Sequence, residues 1–100
     1  MIDWNAPDSP GVYIFKAGTG EIIYVGKAKS LPARLASYQG ANLDGKTAQM
    51  MVAAQSLEVI ACRNEAEALI LENTLIKQHR PKYNISLKDS AQYAYLKITG

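Results

Sequence analysis

The period of hydrophobic and polar positions changes several times along the chain, and each change marks an element. Two early runs, Val12 to Lys16 and Glu21 to Val25, are rich in β-branched and aromatic residues. Between them sits Ala17-Gly18-Thr19-Gly20, so the pair reads as a β-hairpin with a four-residue loop. If Lys16 faces Glu21 across that loop, Tyr13 faces Tyr24 on one side of the hairpin. A loop of about three residues would instead send the two rings to opposite faces. Gly26 then ends the strand and permits a sharp turn or a close backbone approach. Ser30 suits an N-cap and Pro32 is tolerated in a first turn, which predicts a short helix to about Tyr38. Gly40 to Gly45 is a predicted loop. Lys46 to Ala54 is a predicted helix with Met50, Met51 and Ala54 as its apolar contacts, and Leu57 to Cys62 a predicted strand.

The strongest helical pattern runs from Glu65 to His79. Asn64 followed by Glu67 resembles a capping box at its start, and Pro81 stops it. Tyr93 to Thr99 alternates well enough for a last strand. The order β-β-α-α-β-α-β predicts an α+β fold, a small antiparallel sheet flanked by helices.

Composition narrows the setting. One hundred residues, 48% of them hydrophobic, suffice for one core, so residues 1–100 are expected to form a single domain. Cys62 is the lone cysteine and cannot form an internal disulfide, so folding needs no oxidising compartment. Met1 to Asn5 lacks the basic-then-apolar order of a signal peptide, and no run approaches the roughly 18 apolar residues of a membrane span. The expected location is the cytoplasm, away from membranes. A net charge of +2 says little by itself. Its distribution says more: Lys27, Lys29, Arg34 and Lys46 make one basic segment, and Lys77, Arg80, Lys82, Lys88 and Lys97 another. Brought together they form a phosphate-binding surface; kept apart they are ordinary solvated charge.

Three features carry candidate chemistry. Glu72 shares a helical face with Ala68, Leu69, Leu75 and Ile76, all apolar. A carboxylate in such surroundings is costly unless it is paired with a base at the core edge or holds a metal. The hairpin places Tyr13 and Tyr24 together, either as two aromatics covering the core or as two phenols reaching one site. Lys27 follows Gly26, and Arg34 and Tyr38 are spaced i, i+4 on one helical face. A lysine and a bidentate arginine near a helix start suit a phosphate, or simply a solvated basic turn. His79, at a helix C-terminus, suits a structural role, where partial positive charge is welcome. Cys62 suits a small core residue.

Together these residues resemble the GIY-YIG nuclease family. Gly11-Val12-Tyr13 and Tyr24-Val25-Gly26 stand where that family has its two naming motifs, with Val as the middle residue of each. The longer stretches SPGVYIFK, IIYVGKAKSLPARLASY, NEAEALILENTLIKQHRPKYNISLKD and YLKIT resemble the UvrC-type N-terminal domains of the bacterial UvrABC excision-repair system. The resemblance covers residues 8 to 99.

It implies a divalent-metal-dependent endodeoxyribonuclease with one Mg²⁺ or Mn²⁺ held by Glu72. It matches Tyr13 and Tyr24 to the paired motif tyrosines and Lys27 to the lysine after the second motif. Arg34 and Tyr38 match the helical arginine and tyrosine, and Asn84 the site asparagine that would bond water or phosphate. Tyr24 is the expected general base, with Tyr13 as alternate. The implied partners are double-stranded DNA containing a lesion, cut on its 3′ side, and a UvrB-type protein bound through the remainder of a longer chain. A monomer in isolation is expected. Ser90 to Tyr95 departs from the family, which has a further acidic residue and a proline there. The chain looks like an excised N-terminal domain. Two alternatives are a stand-alone GIY-YIG repair endonuclease and a non-catalytic DNA- or protein-binding module on the same fold.

Overall fold

The computed structural model describes residues 2–40 and 43–84. Six elements follow in order: β1 Gly11–Lys16, β2 Ile22–Ala28, α1 Leu31–Ala36, α2 Gly45–Ala53, β3 Ser56–Ala61 and α3 Glu65–His79. They match the first six expected elements in type and order. The strand expected over 93–99 lies outside the described residues.

The sheet order is β2-β1-β3, with β1 antiparallel to both neighbours. Paired on both edges, β1 is buried from Gly11 through Phe15. Side chains of a strand alternate between faces, so β1 divides the core in two. Tyr13 and Phe15 pack with Tyr24, Leu31, Leu35, Tyr38 and Met50, under α1 and α2. Val12, Ile14 and Val25 pack with Ala68, Leu71, Leu75 and Ile76 of α3. Each fully buried aliphatic or aromatic side chain contributes about 1.5–3 kcal/mol.

The hairpin register differs from expectation. Lys16 pairs with Ile22 rather than Glu21, across a bulge between Phe15 and Lys16. Its connection closes by Ala17 N–H to Glu21 C=O and Gly20 N–H to Ala17 C=O, both 2.9 Å, with Gly20 at φ 92°. Tyr13 therefore lies opposite Gly26, and Tyr24 opposite Phe15. The slip is by two residues, which preserves the face, so the two tyrosines remain on one side as diagonal neighbours. Nor does Gly26 end the strand. The ladder continues through Lys27 opposite Val12 and Ala28 opposite Gly11. A Cβ at Gly26 would collide with the Tyr13 ring, so glycine makes room for a side chain across the strand.

The helix ends show where local chemistry acts. α1 stops at Ala36, two residues short of Tyr38. There Ser37 Oγ donates to Arg34 C=O at 2.6 Å, and the amides of Ser37, Tyr38 and Gln39 each reach back only three residues. Ser30 holds the N-cap position but makes no capping bond with its side chain. α2 is capped by Asp44, whose carboxylate accepts the Thr47 N–H at 2.9 Å.

At α3 the capping box is half formed. Asn64 Oδ1 accepts the Glu67 N–H at 2.8 Å, while Glu67 turns to the N–H and Nε of Arg63 at 2.9 and 3.2 Å. Arg80 closes α3 in the left-handed conformation, its N–H donating to Ile76 C=O at 2.8 Å, and Pro81 follows. Lys77 and His79 lie in its last turn, where cations complement the helix dipole. One face residue differs from expectation. Leu69 is 44% exposed, because the buried stripe is 68-71-72-75-76 and Leu69 lies one step of rotation outside it. No helix among the described residues is long and apolar enough to cross a membrane.

Candidate active site

The sheet supplies Tyr13 and Tyr24, their ring centroids 6.2 Å apart, and α1 supplies Arg34. The chain leaving α1 supplies Tyr38, whose ring lies 5.6 Å from that of Tyr13 and 5.7 Å from the Arg34 guanidinium. Arg34 Nε donates to the Tyr13 hydroxyl at 3.2 Å, and the Tyr13 and Tyr38 hydroxyls are 2.8 Å apart. Tyr38 also hydrogen-bonds Tyr24. Arg34 can only donate, so the Tyr13 oxygen accepts from it. Followed outward, Tyr13 donates to Tyr38 and Tyr38 to Tyr24, so the chain ends on the Tyr24 oxygen.

Burial dominates the acidity of these phenols. It pushes Tyr13 and Tyr24 well above the ordinary value of 10, and it lifts Tyr38 to about 12. At Tyr24 the proximity of Tyr13 and Glu72 adds to burial, while the hydrogen bond from Tyr38 and the charge of Arg34 oppose it without winning. A phenol that acts as general base near neutral pH must be lowered, whereas the protein's own groups raise these. The hydrogen bond to Tyr13 raises the already high Arg34 value, so its guanidinium is always charged.

Glu72 comes from the opposite helix, α3, and is only 5% exposed. It shares a cleft of about 200 Å³ with Tyr13, Tyr24, Gly26, Lys27 and Arg34. The structure thus brings together two strand tyrosines, the exposed Lys27, the α1 arginine and the α3 glutamate. Tyr38 lies behind them, lining a second cleft of about 310 Å³ on the other side of Tyr24 and Arg34. Ser37, Leu43, Asp44 and Thr47 complete that second cleft. None of these four follows from periodicity or from the resemblance. Asp44 three residues before Thr47 carried the signal, since that is N-cap spacing.

Asn84 sits elsewhere. It is 3% exposed, its Oδ1 accepts the Val25 N–H at 2.7 Å, and its Nδ2 donates to Val25 C=O at 2.8 Å. Both ends of the amide are engaged with the Val25 backbone. The side chain acts as a short extra strand on β2, fixing the residue between Tyr24 and Gly26.

The donor set bears on which metal fits. Glu72 is the one carboxylate lining the 200 Å³ cleft, and no group of three or more His, Cys, Asp or Glu that could hold a metal occurs among the described residues. A single hard oxygen ligand among phenols suits a cation that keeps much of its hydration, as Mg²⁺ does, rather than a Zn²⁺ or Ca²⁺ cage.

Residues 9–85 match the model of the UvrC-like GIY-YIG domain. The chain belongs to this family. UvrC-like GIY-YIG relatives at high identity include the UvrABC system protein C of Carboxydothermus hydrogenoformans, 57% identical over 98 residues. That match covers 96% of this chain and 16% of the relative. The UvrABC system protein C of Treponema denticola is 55% identical over 95 residues, covering 95% of this chain and 15% of its own. The chain therefore spans about one-sixth of the length of these relatives. Among solved structures, the GIY-YIG N-terminal endonuclease domain of Thermotoga maritima UvrC, bound to magnesium as its catalytic divalent cation, matches with a TM-score of 0.73. It is 52% identical, and the match covers 79% of this chain and 86% of that one. The α+β architecture expected from sequence is the architecture of this UvrC-like GIY-YIG domain.

Proposed function

We propose that this UvrC-like GIY-YIG domain is an endonuclease that hydrolyses phosphodiester bonds of double-stranded DNA with one divalent cation, Mg²⁺ or Mn²⁺, held by Glu72. One observation carries the reading. An always-charged guanidinium, two buried phenols and a buried carboxylate from four different elements converge on one cleft of about 200 Å³.

Arg34 holds the scissile phosphate and stabilises the charge that develops on it. Its Nε is anchored on Tyr13, which orients the planar fork. Lys27 adds a second cation at the mouth of the cleft. Tyr24, as phenolate, takes a proton from the attacking water while the new bond to phosphorus forms and the bond to the departing sugar oxygen breaks, that oxygen taking up a proton from solvent. Tyr13 and Tyr38 position Arg34 and direct a hydrogen bond at the Tyr24 oxygen, which favours its ionised form; Tyr13 is the alternate base. When bound, the cation supplies positive charge that neutralises the phosphate and makes a phenolate less costly. Asn84 acts through Val25, holding the Tyr24 backbone in place.

The setting we propose is lesion-directed repair. The domain would make the incision 3′ to damage in double-stranded DNA, with a UvrB-type partner. Relatives named UvrABC system protein C carry this domain at 55–57% identity.

The test is nicking of supercoiled plasmid in Mg²⁺ together with calorimetric Mn²⁺ titration. The wild type should nick and bind one Mn²⁺, and Glu72→Ala should lose both with its circular dichroism spectrum unchanged. Near-normal nicking by Glu72→Ala would end the one-cation assignment.

A further inference from the structure

Beside Lys27 and Arg34 lies a wider, more open cleft of about 760 Å³. It shares Lys27 and Arg34 with the 200 Å³ cleft, so the two are contiguous. From that junction it runs along α1, lined by Lys29, Ser30 and Ser37 and, at the start of α3, by Glu65. Arg34 also lines the 310 Å³ cleft, so it stands where all three meet.

The two outer clefts differ in charge. The open one carries Lys27, Lys29 and Arg34 against Glu65. The other carries Arg34 against Asp44. The ion pairs among the described residues are Lys16–Glu58 and Arg63–Glu67, so none of the three cations of the open cleft is neutralised by a salt bridge. Lys27 and Lys29 are both exposed, yet their strand and turn direct them to one cleft beside the reacting phosphate. A polyanionic strand leaving Arg34 finds a lining with an excess of positive charge on the side of Lys27 and Lys29. On the other it meets a carboxylate and an aromatic wall of Tyr24 and Tyr38, where a sugar or base fits better than a phosphate.

Resting on the nuclease reading above, we propose that the Lys27–Lys29 cleft is a second phosphate subsite, holding the backbone phosphate next to the one that is cut. Lys29 is its positioning residue, and the DNA strand crosses the site in a polarity set by Lys29 on one side and Asp44 on the other.

The experiment compares wild type, Lys29→Ala and Glu65→Gln for binding a short fluorescent DNA duplex over a salt series, alongside Mn²⁺ titration. Each phosphate contact contributes about one unit to the slope of log affinity against log salt. Lys29→Ala should flatten the slope by about one and weaken binding roughly three- to ten-fold at low salt. Glu65→Gln should tighten it, and Mn²⁺ affinity should be unchanged in both. A neutral methylphosphonate beside the cleaved bond should slow nicking by wild type and leave Lys29→Ala indifferent. Unchanged slope and affinity in Lys29→Ala, or weakening by both variants alike, overturns the subsite while leaving the nuclease reading intact. A wild type that neither binds the duplex nor nicks it removes the nuclease reading itself.

Discussion

The two faces of the sheet are built from the same strands and serve different ends. The α3 face joins Val12, Ile14 and Val25 to Ala68 and its neighbours, with no hydroxyl among them. The opposite face joins Tyr13, Tyr24 and Tyr38 to Phe15, Leu31 and Leu35, and its three hydroxyls form a chain from Arg34 to Tyr24. Among the described residues no buried side-chain polar atom lacks a hydrogen-bond partner. The aromatic face can therefore bury polar groups without the penalty of an unsatisfied one. One face packs with aliphatic side chains and gives the site Glu72 alone. The other packs with rings whose edges carry the chemistry, so core and site are the same residues.

This contrast separates activity from stability, and four substitutions or conditions test it. The largest effect is expected at Arg34. Arg34→Ala should lower plasmid nicking by roughly 10²–10³-fold with little change in melting temperature, since the side chain is largely exposed. Arg34→Lys should rescue poorly, because an ammonium cannot reproduce the fork that reaches both Tyr13 and a phosphate. Unfolding of Arg34→Ala at the assay temperature would break the comparison.

On the aliphatic face, Ile14→Ala should cost about 2–5 kcal/mol of stability by leaving a cavity. The protein that remains folded should nick at the wild-type rate. Chemical denaturation and rate per folded molecule check this together. A loss of rate matching that of Arg34→Ala would show that the two faces are not separable.

Asn84→Ala sharpens the boundary between them. It leaves the Val25 N–H and C=O without their side-chain partner, at about 1–3 kcal/mol. Activity should fall less than stability predicts for a residue that touches substrate. If Asn84→Ala abolishes nicking with an unchanged melting curve, the asparagine belongs to the reacting set after all.

The smallest effect concerns alkali. Tyr38 ionises near 12 in the folded protein against 10 for an ordinary phenol. The folded state therefore holds that proton more tightly than the unfolded one. The corresponding stability is fully present below pH 10 and is lost as pH rises from 10 to 12. Melting temperature should decline across that window, and less steeply in Tyr38→Phe. An identical decline in both proteins would mean that Tyr38 burial does not couple to folding.

Much of this was legible in the residues. The hairpin, the Glu65–His79 helix and the Asn64 cap follow from alternation, helical period and side-chain-to-backbone bonding. Glu72 was flagged because a carboxylate interrupted an apolar face, and it is buried. Legibility stopped where distance along the chain grew. The hairpin register slipped by two because the connection is one residue longer and a bulge beside Lys16 adds another. That the Asn84 amide binds the Val25 backbone, 59 residues away, has no local signal in the residues around it. Ser37 and Asp44 went unread because a loop position has no periodicity to betray what it lines.

The sequence by itself therefore determined the first six elements, the caps of α2 and α3 and most of the faces their residues present, since these depend on neighbours a few positions apart along the backbone. Tertiary structure alone decided that Tyr13 meets Tyr38, 25 residues on, that Arg34 stands at the junction of three clefts, and that Glu72 arrives from the opposite helix. Those meetings depend on register and on which surfaces pack, and these are settled only when the whole core closes.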